Sequence, residues 1–289
     1  MMTKTKHQNE KKFFKSNVFF ESGNKLLVNT KNSEFKSPLV SIITVTYNSE
    51  KYLEETIRSI VDQNYKNIEY IIIDGGSTDN TLDIIKRYID KISYVISEKD
   101  NGMYDALNKG FSYSTGDIIG FCNSDDLLYS KDTIKNIVES YKIERFCCCY
   151  GSVQYVDENA NNLYARNPLE FKPRYLVTLG MPFAQPTFFW TRELMDKTGC
   201  FNLKYKIVSD YDLIGRLLLN SENIYRIKNY LIKFRKHGES FGDENSLLAL
   251  KESKQIREIF IKKLNINRIN LIFYSIFDRI CQRLFQIYN

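Results

Sequence analysis

Four apolar, β-branched runs in the first half of the chain each stop at a polar residue. Leu39-Val-Ser-Ile-Ile-Thr-Val-Thr46 leads to Asn48, Ile68 to Ile73 to Asp74, Ile92 to Ser97 to Asp100, and Ile118 to Cys122 to Asp125. The runs are short and continuous, without helical spacing, as expected of strands buried on both faces. Helical patterns alternate with them. Ser49 can cap a helix through Gln63 with Tyr52, Leu53, Ile57, Ile60 and Val61 as its apolar stripe, and further helices are expected from Thr81 to about Tyr88 and from Tyr104 to Tyr113. That rhythm predicts parallel strands with right-handed crossovers. Ligands of an open α/β sheet bind beyond the carboxyl ends of its strands, so the polar groups at four successive ends converge on one rim.

The fourth run opens onto Asn123-Ser-Asp-Asp126. Adjacent carboxylates repel each other unless a cation or a donor-rich ligand lies between them. Hard oxygen ligands suit magnesium or manganese carrying a substrate phosphate. The alternative is a helix N-cap, with Ser124 or Asp125 starting the helix near Asp132. After the second run, Gly75-Gly76 allows a sharp turn and close approach of backbone to ligand. It forms neither a Gly-x-Gly-x-x-Gly turn nor a Gly-Lys-Ser/Thr phosphate loop.

With 289 residues, 43% apolar and 26% charged, the chain has material for a substantial core. It contains no apolar run of membrane-spanning length, and Met1 to Lys15 reads as neither signal peptide nor membrane span. Its net charge of +6 is uneven. Residues 1–37 hold eight Lys against three Glu, residues 251–289 hold eight Lys and Arg against three acids, and the body between has 25 basic against 29 acidic residues. Two basic ends on an acidic body argue against a nucleic-acid partner and for an anionic surface met from the edges. Six cysteines without Cys-x-x-Cys spacing, and only His7 and His237, argue against a structural zinc. Cys147 to Cys149 read as small core residues on a strand. The expected organisation is a basic, loosely ordered extension at 1–37, one α/β domain at 38–245, and C-terminal amphipathic helices at 246–289.

Ser41-Ile-Ile-Thr-Val-Thr-Tyr-Asn48, Ile73-Asp-Gly-Gly-Ser-Thr-Asp79 and Asn123-Ser-Asp-Asp126 follow the order and spacing of family 2 glycosyltransferases of the GT-A fold, which the chain resembles. Gln185-Pro-Thr-Phe-Phe-Trp190, Gly199-Cys-Phe-Asn202, Ser209-Asp-Tyr-Asp-Leu213 and Arg235-Lys-His-Gly-Glu-Ser240 resemble that family's acceptor-side segments. The segment from Ser97 to Gly110 looks most like a bacterial branch that builds capsule, exopolysaccharide or lipopolysaccharide glycans. The resemblance implies a Rossmann-like, mostly parallel sheet flanked by helices, with a C-terminal helical appendage. It implies an inverting transfer from a nucleotide-sugar donor, a UDP-sugar first, to a glycan or lipid-linked acceptor. Asp74 would bond the nucleobase edge, with Thr46 and Tyr47 beside it. Asn123 and Ser124 would line the donor site, and Asp125, Asp126 and His237 would hold Mn2+ or Mg2+. Asp210 aligns with the catalytic base. Leu107 stands where many relatives carry an Arg, which brings Asp105 and Lys109 into the donor pocket instead.

The residue types suit that chemistry. A nucleoside diphosphate leaves once its charge is neutralised, and a sugar hydroxyl attacks once a carboxylate takes its proton. Read without the resemblance, Asp210 is a helix N-cap, with Asp212 as a first-turn dipole partner, and His237 is a loop residue. Trp190 reads as core. Two rivals stand beside the transferase. A sugar-phosphate nucleotidyltransferase would carry a Gly-rich, Lys/Arg-bearing loop after the first strand, unlike Thr46-Tyr-Asn-Ser49. A silent glycan- or nucleotide-binding subunit is kept open by Asn123, which replaces an acid. Beyond a helix at Ser246 to Lys263, a second helix carries Ile269, Ile272, Phe273, Ile276, Phe277, Ile280, Leu284 and Ile287 on one face. Ser275, Asp278, Arg279, Gln282, Arg283 and Gln286 lie on the other. That pattern fits an interfacial helix at the cytoplasmic side of a membrane, or one packed on its own domain or a second subunit.

Overall fold

The computed structural model describes residues 20–23, 37–237 and 246–288. Strand β2 (Val40–Thr46) is buried along its whole length. It runs parallel to β3 (Ile68–Asp74), from Val40 opposite Ile68 to Thr46 opposite Asp74, and parallel to β5 (Ile118–Phe121) on its other side. Alternate residues of β2 serve opposite cores, as period-two geometry requires. Val40 and Ile42 pack with Leu53, Ile57 and Ile60 of α1 (Leu53–Val61). Ile43 and Val45 pack with Tyr104, Leu107 and Phe111 of α3 (Met103–Tyr113). The first face also receives Ile84 and Ile85 of α2 (Thr81–Arg87) and Ile134, Ile137 and Val138 of α4 (Thr133–Glu144).

β4 (Tyr94–Ser97) continues the parallel set beyond β3. β1 (Phe20–Gly23) adds to it antiparallel, so part of the expected N-terminal extension is an edge strand; the rest of 1–36 lies outside the described residues. On the far side, β9 (Phe189–Thr191) runs antiparallel to both β5 and β7 (Cys148–Val156). β10 (Ile224–Arg235) pairs parallel with β7 and antiparallel with β6 (Leu127–Leu128), and β8 (Asn162–Arg166) hangs on β7. Among the described residues these make one mixed sheet of ten strands, parallel at its centre. Trp190 on β9 and Cys148 and Cys149 on β7 are fully buried, as their apolar contexts require.

The second core face is closed by α6 (Arg192–Thr198), α7 (Ser209–Asn220) and α8 (Ser246–Lys263), which contributes Ile256 and Phe260. Gly215 of α7 permits that contact, since a Cβ there would overlap the Phe260 ring. A left-handed turn at Asn265 leads to α9 (Arg268–Tyr288), which lies against the short α5 (Tyr175–Thr178). Ser49 does not cap α1 with its side chain. The helix begins at Leu53, and the Ser49 hydroxyl is turned to Tyr47 O and the Ser124 hydroxyl.

Candidate active site

The antiparallel pairing of β6 with β10 sets Leu127 opposite Lys233 and Leu128 opposite Ile232. Residues just before β6 therefore meet residues just after β10, and Asp125 Oδ2 lies 2.8 Å from His237 Nε2. The two side chains are 33% and 11% exposed, at the carboxyl-end rim of the sheet. Beneath them Arg235, whose side chain is fully buried, donates to Asp125 O at 3.0 Å, to Glu158 O, and to Glu55 Oε2 at 2.7 Å. Its guanidinium also lies over the Tyr52 ring, 4.5 Å from the centroid. Asp126 is turned inward. Its Oδ1 accepts the Arg235 N–H at 3.1 Å and its Oδ2 accepts Asn123 Nδ2 at 3.1 Å. Burial, and then the neighbouring Asp125 charge, push its carboxyl well above the usual range.

On the neighbouring strand ends, Thr46 Oγ1 and Asn123 Oδ1 are buried without a hydrogen-bond partner, an arrangement that folded proteins seldom leave unless a ligand or water completes it. Ser124 and Ser49 share a hydroxyl contact of 3.0 Å. Tyr47 is 64% exposed. Asp74, by contrast, is fully buried and saturated by its own loop together with Ser97 of β4. Its Oδ2 accepts Gly76 N and Ser77 N at 3.0 Å each and Ser97 Oγ at 2.6 Å, and its Oδ1 accepts the Ser77 hydroxyl. Asp74 thus shapes the Gly75-Gly76 turn, where Gly76 has φ of +85°. The carboxylate that reaches the turn from outside is Asp100. Its Oδ1 takes Gly102 N at 2.8 Å, and its Oδ2 would sit 2.7 Å from a Cβ on Gly75, with the Tyr47 ring alongside. Asp105 accepts the Asn101 backbone N–H at 3.0 Å, and Lys109 is paired with Glu98 at 2.8 Å.

Asp210 occupies the first turn of α7. The single proton of the Tyr104 hydroxyl is shared between Ile207 O at 2.6 Å and Asp210 Oδ1 at 3.2 Å. Burial raises the Asp210 carboxyl above the usual range, opposed by the Tyr211 backbone N–H and by Tyr104. Two polar centres therefore lie on the rim, Asp125–His237 and Tyr104–Asp210, with the orphan oxygens beside the first.

The sequence model described as Glycosyl transferase family 2 matches residues 41–204. An uncharacterised glycosyltransferase of Rickettsia typhi is 32% identical over 235 residues, 79% of this chain and 73% of that one. The chain belongs to glycosyl transferase family 2. A glycosyltransferase of Mycobacterium bovis named for PGL/p-HBAD biosynthesis is 28% identical over 202 residues, 68% of this chain and 76% of that one. Among solved structures, Staphylococcus aureus TarS residues 1–349 in complex with UDP-GlcNAc superposes with a TM-score of 0.59 at 21% identity, covering 80% of this chain and 74% of that one. The mannosyltransferase PcManGT of Pyrobaculum calidifontis, in complex with GDP-Man and Mn2+, gives 0.56 at 18%, covering 83% and 70%. The fold is that of GT-A glycosyltransferases.

In this glycosyltransferase the groups that hold the rim together were the hardest to read from sequence. Nothing local marks the role of Arg235, because its four acceptors come from residues 55, 125, 126 and 158. Asp100 showed only as a strand-end acid, and Tyr104 only as the start of a helix. Among the described residues no three His, Cys, Asp or Glu side chains cluster as a metal cage. Asp125 and His237 converge as one oxygen and one nitrogen donor. That two-donor set fits a divalent cation whose remaining ligands come from a diphosphate and water.

Proposed function

We propose that this protein is an inverting glycosyltransferase, transferring a sugar from a nucleoside diphosphate donor to a hydroxyl of a glycan or lipid-linked acceptor in surface-polysaccharide assembly. The observation that carries the reading is the Asp125–His237 pair, brought together across 112 residues at the sheet rim. Thr46, Tyr47, Asn123, Ser124 and Asp100 line the donor side, with Asp105 and Lys109 at its margin. Asp74 works through the shape of the Gly75-Gly76 turn. Asp125 and His237 would hold Mn2+ or Mg2+, which supplies charge neutralisation to the departing diphosphate. Asp126 positions Asn123 and Arg235 rather than offering a free oxygen. Asp210 takes the proton of the acceptor hydroxyl as it attacks, and Tyr104 orients that carboxylate. One base, with no second nucleophile assigned, corresponds to a single displacement and inversion. The UDP-GlcNAc and GDP-Man complexes of structural neighbours support a nucleotide-sugar donor, and the Mn2+ of one supports a metal.

Calorimetry of uridine diphosphate binding, with Mn2+ and with EDTA, tests the donor and metal assignments together. Binding is expected with Mn2+ and lost with EDTA, and Asp125→Ala is expected to abolish the metal-dependent part. Equal affinity in both conditions would remove the metal from the site.

A further inference from the structure

Helix α9 presents to solvent the face expected to be covered. Ile269 is 79% exposed, Ile272 and Phe273 64% each, Ile276 60%, Phe277 48% and Ile280 53%. Leu284 and Ile287 lie beyond the residues whose side chains are described. The helix docks on the domain through Asp278, with Leu271 packed beside it against the core. Asp278 is fully buried and accepts Arg174 Nε at 3.0 Å, Arg174 Nη2 at 2.8 Å and Thr178 Oγ1 at 2.8 Å. The Arg174 guanidinium lies over the Tyr274 ring, 5.1 Å from its centroid. A polar anchor thus faces the protein and a continuous apolar stripe faces outward, the reverse of an ordinary surface helix.

Charge selects what covers the stripe. Residues 246–288 carry eight Lys and Arg, all exposed, and three acids. Two of those acids are withdrawn: Asp278 as above, and Glu252, whose carboxylate accepts the backbone N–H groups of Lys206, Ile207 and Val208. Only Glu258 is left exposed. Arg268, Arg279 and Arg283 fall along one margin of the stripe at helical spacing. Two copies meeting stripe to stripe in antiparallel order would bring these arginines together with almost no acid to offset them. An anionic leaflet accepts both the apolar stripe and its basic margin. No described helix is long and apolar enough to cross a membrane, so α9 would lie in the interface.

We infer that α9 seats the protein on an anionic lipid bilayer surface, with Ile272, Phe273, Ile276, Phe277 and Ile280 inserted and Arg268, Arg279 and Arg283 at the headgroups. The Arg174–Asp278 clamp fixes the helix, and hence the catalytic rim, relative to the bilayer. Sedimentation of the full chain with equimolar phosphatidylglycerol/phosphatidylcholine vesicles tests this without reference to catalysis. Wild type is expected to bind these more tightly than pure phosphatidylcholine, with part of the binding surviving high salt. F273S/F277S should weaken binding at least tenfold and remove the salt-resistant part, and R279E/R283E should remove the salt-sensitive part. Both pairs replace exposed side chains, so unchanged thermal melts and uridine diphosphate affinity would certify folding. Wild type that ignores the anionic vesicles, or F273S/F277S that binds them as wild type does, overturns the inference. So does a solution dimer that F273S/F277S splits, which would assign the stripe to a second copy.

Discussion

Asp210→Asn keeps the size and one acceptor oxygen but cannot take a proton. Turnover is expected to fall about 10²–10⁴-fold with donor affinity and Tm unchanged; lost stability with normal turnover per folded molecule would leave Asp210 only a first-turn structural role in α7. As the proposed base Asp210 acts in its carboxylate form, and burial raises its pKa. Activity should therefore decline as pH falls through that raised value, placing the acid limb of kcat/KM above the ordinary aspartate value of about 4. Asn123→Asp acts oppositely on fold and ligand. It replaces the amide donor that Asp126 Oδ2 accepts at 3.1 Å with a carboxylate. The expected result is a lower Tm without metal, restored by Mn2+, together with equal or tighter metal-dependent nucleotide binding. At this scale the motifs made the strand-end acids legible, but not their orientation. Asp74 and Asp126 look open in sequence; both are buried with each carboxylate oxygen engaged, because neighbours up to 109 positions away supply the donors.

At the scale of elements, the site depends on the two-residue strand β6 holding its register against β10. Arg235 locks that register from below, bonded to Glu55, Asp125 O and Glu158 O and bearing on Tyr52. Arg235→Met leaves two backbone carbonyls without their donor. It is expected to lower stability by about 2–4 kcal/mol in urea denaturation, while abolishing metal-dependent nucleotide binding through displacement of Asp125 and His237. A variant that melts normally and still binds would make the arginine dispensable. The helices and strands of the first half follow their apolar patterns closely, since β2, β3 and β5 are neighbours in one parallel sheet. The short β6 carries too little pattern to be read alone. Its existence depends on a partner more than a hundred residues later.

Over the whole molecule, the C-terminal helices divide into one that completes the core and one that faces outward. Ile256 and Phe260 of α8 are buried against α7, and Glu252 holds the backbone of residues 206–208 just ahead of Asp210. Ending the chain before residue 246 removes both side chains, each worth about 1.5–3 kcal/mol of burial, and frees the segment that leads into α7. Loss of cooperative melting is expected. Ending it after Asn265 should retain a cooperative melt and nucleotide binding, and equal melts for the two truncations would show α8 to be dispensable. The sequence by itself determined the α/β class, the strand-end rim and the family, because these rest on local periodicity and on motifs whose residues stand close in the chain. Only the tertiary structure decided which acids remain open, that Arg235 underpins the rim, and that α9 buries Asp278 against the domain while its apolar stripe faces outward. Each of those outcomes depends on contacts between distant segments, and a buried carboxylate or an exposed apolar stripe is defined by what packs against it rather than by its own spacing.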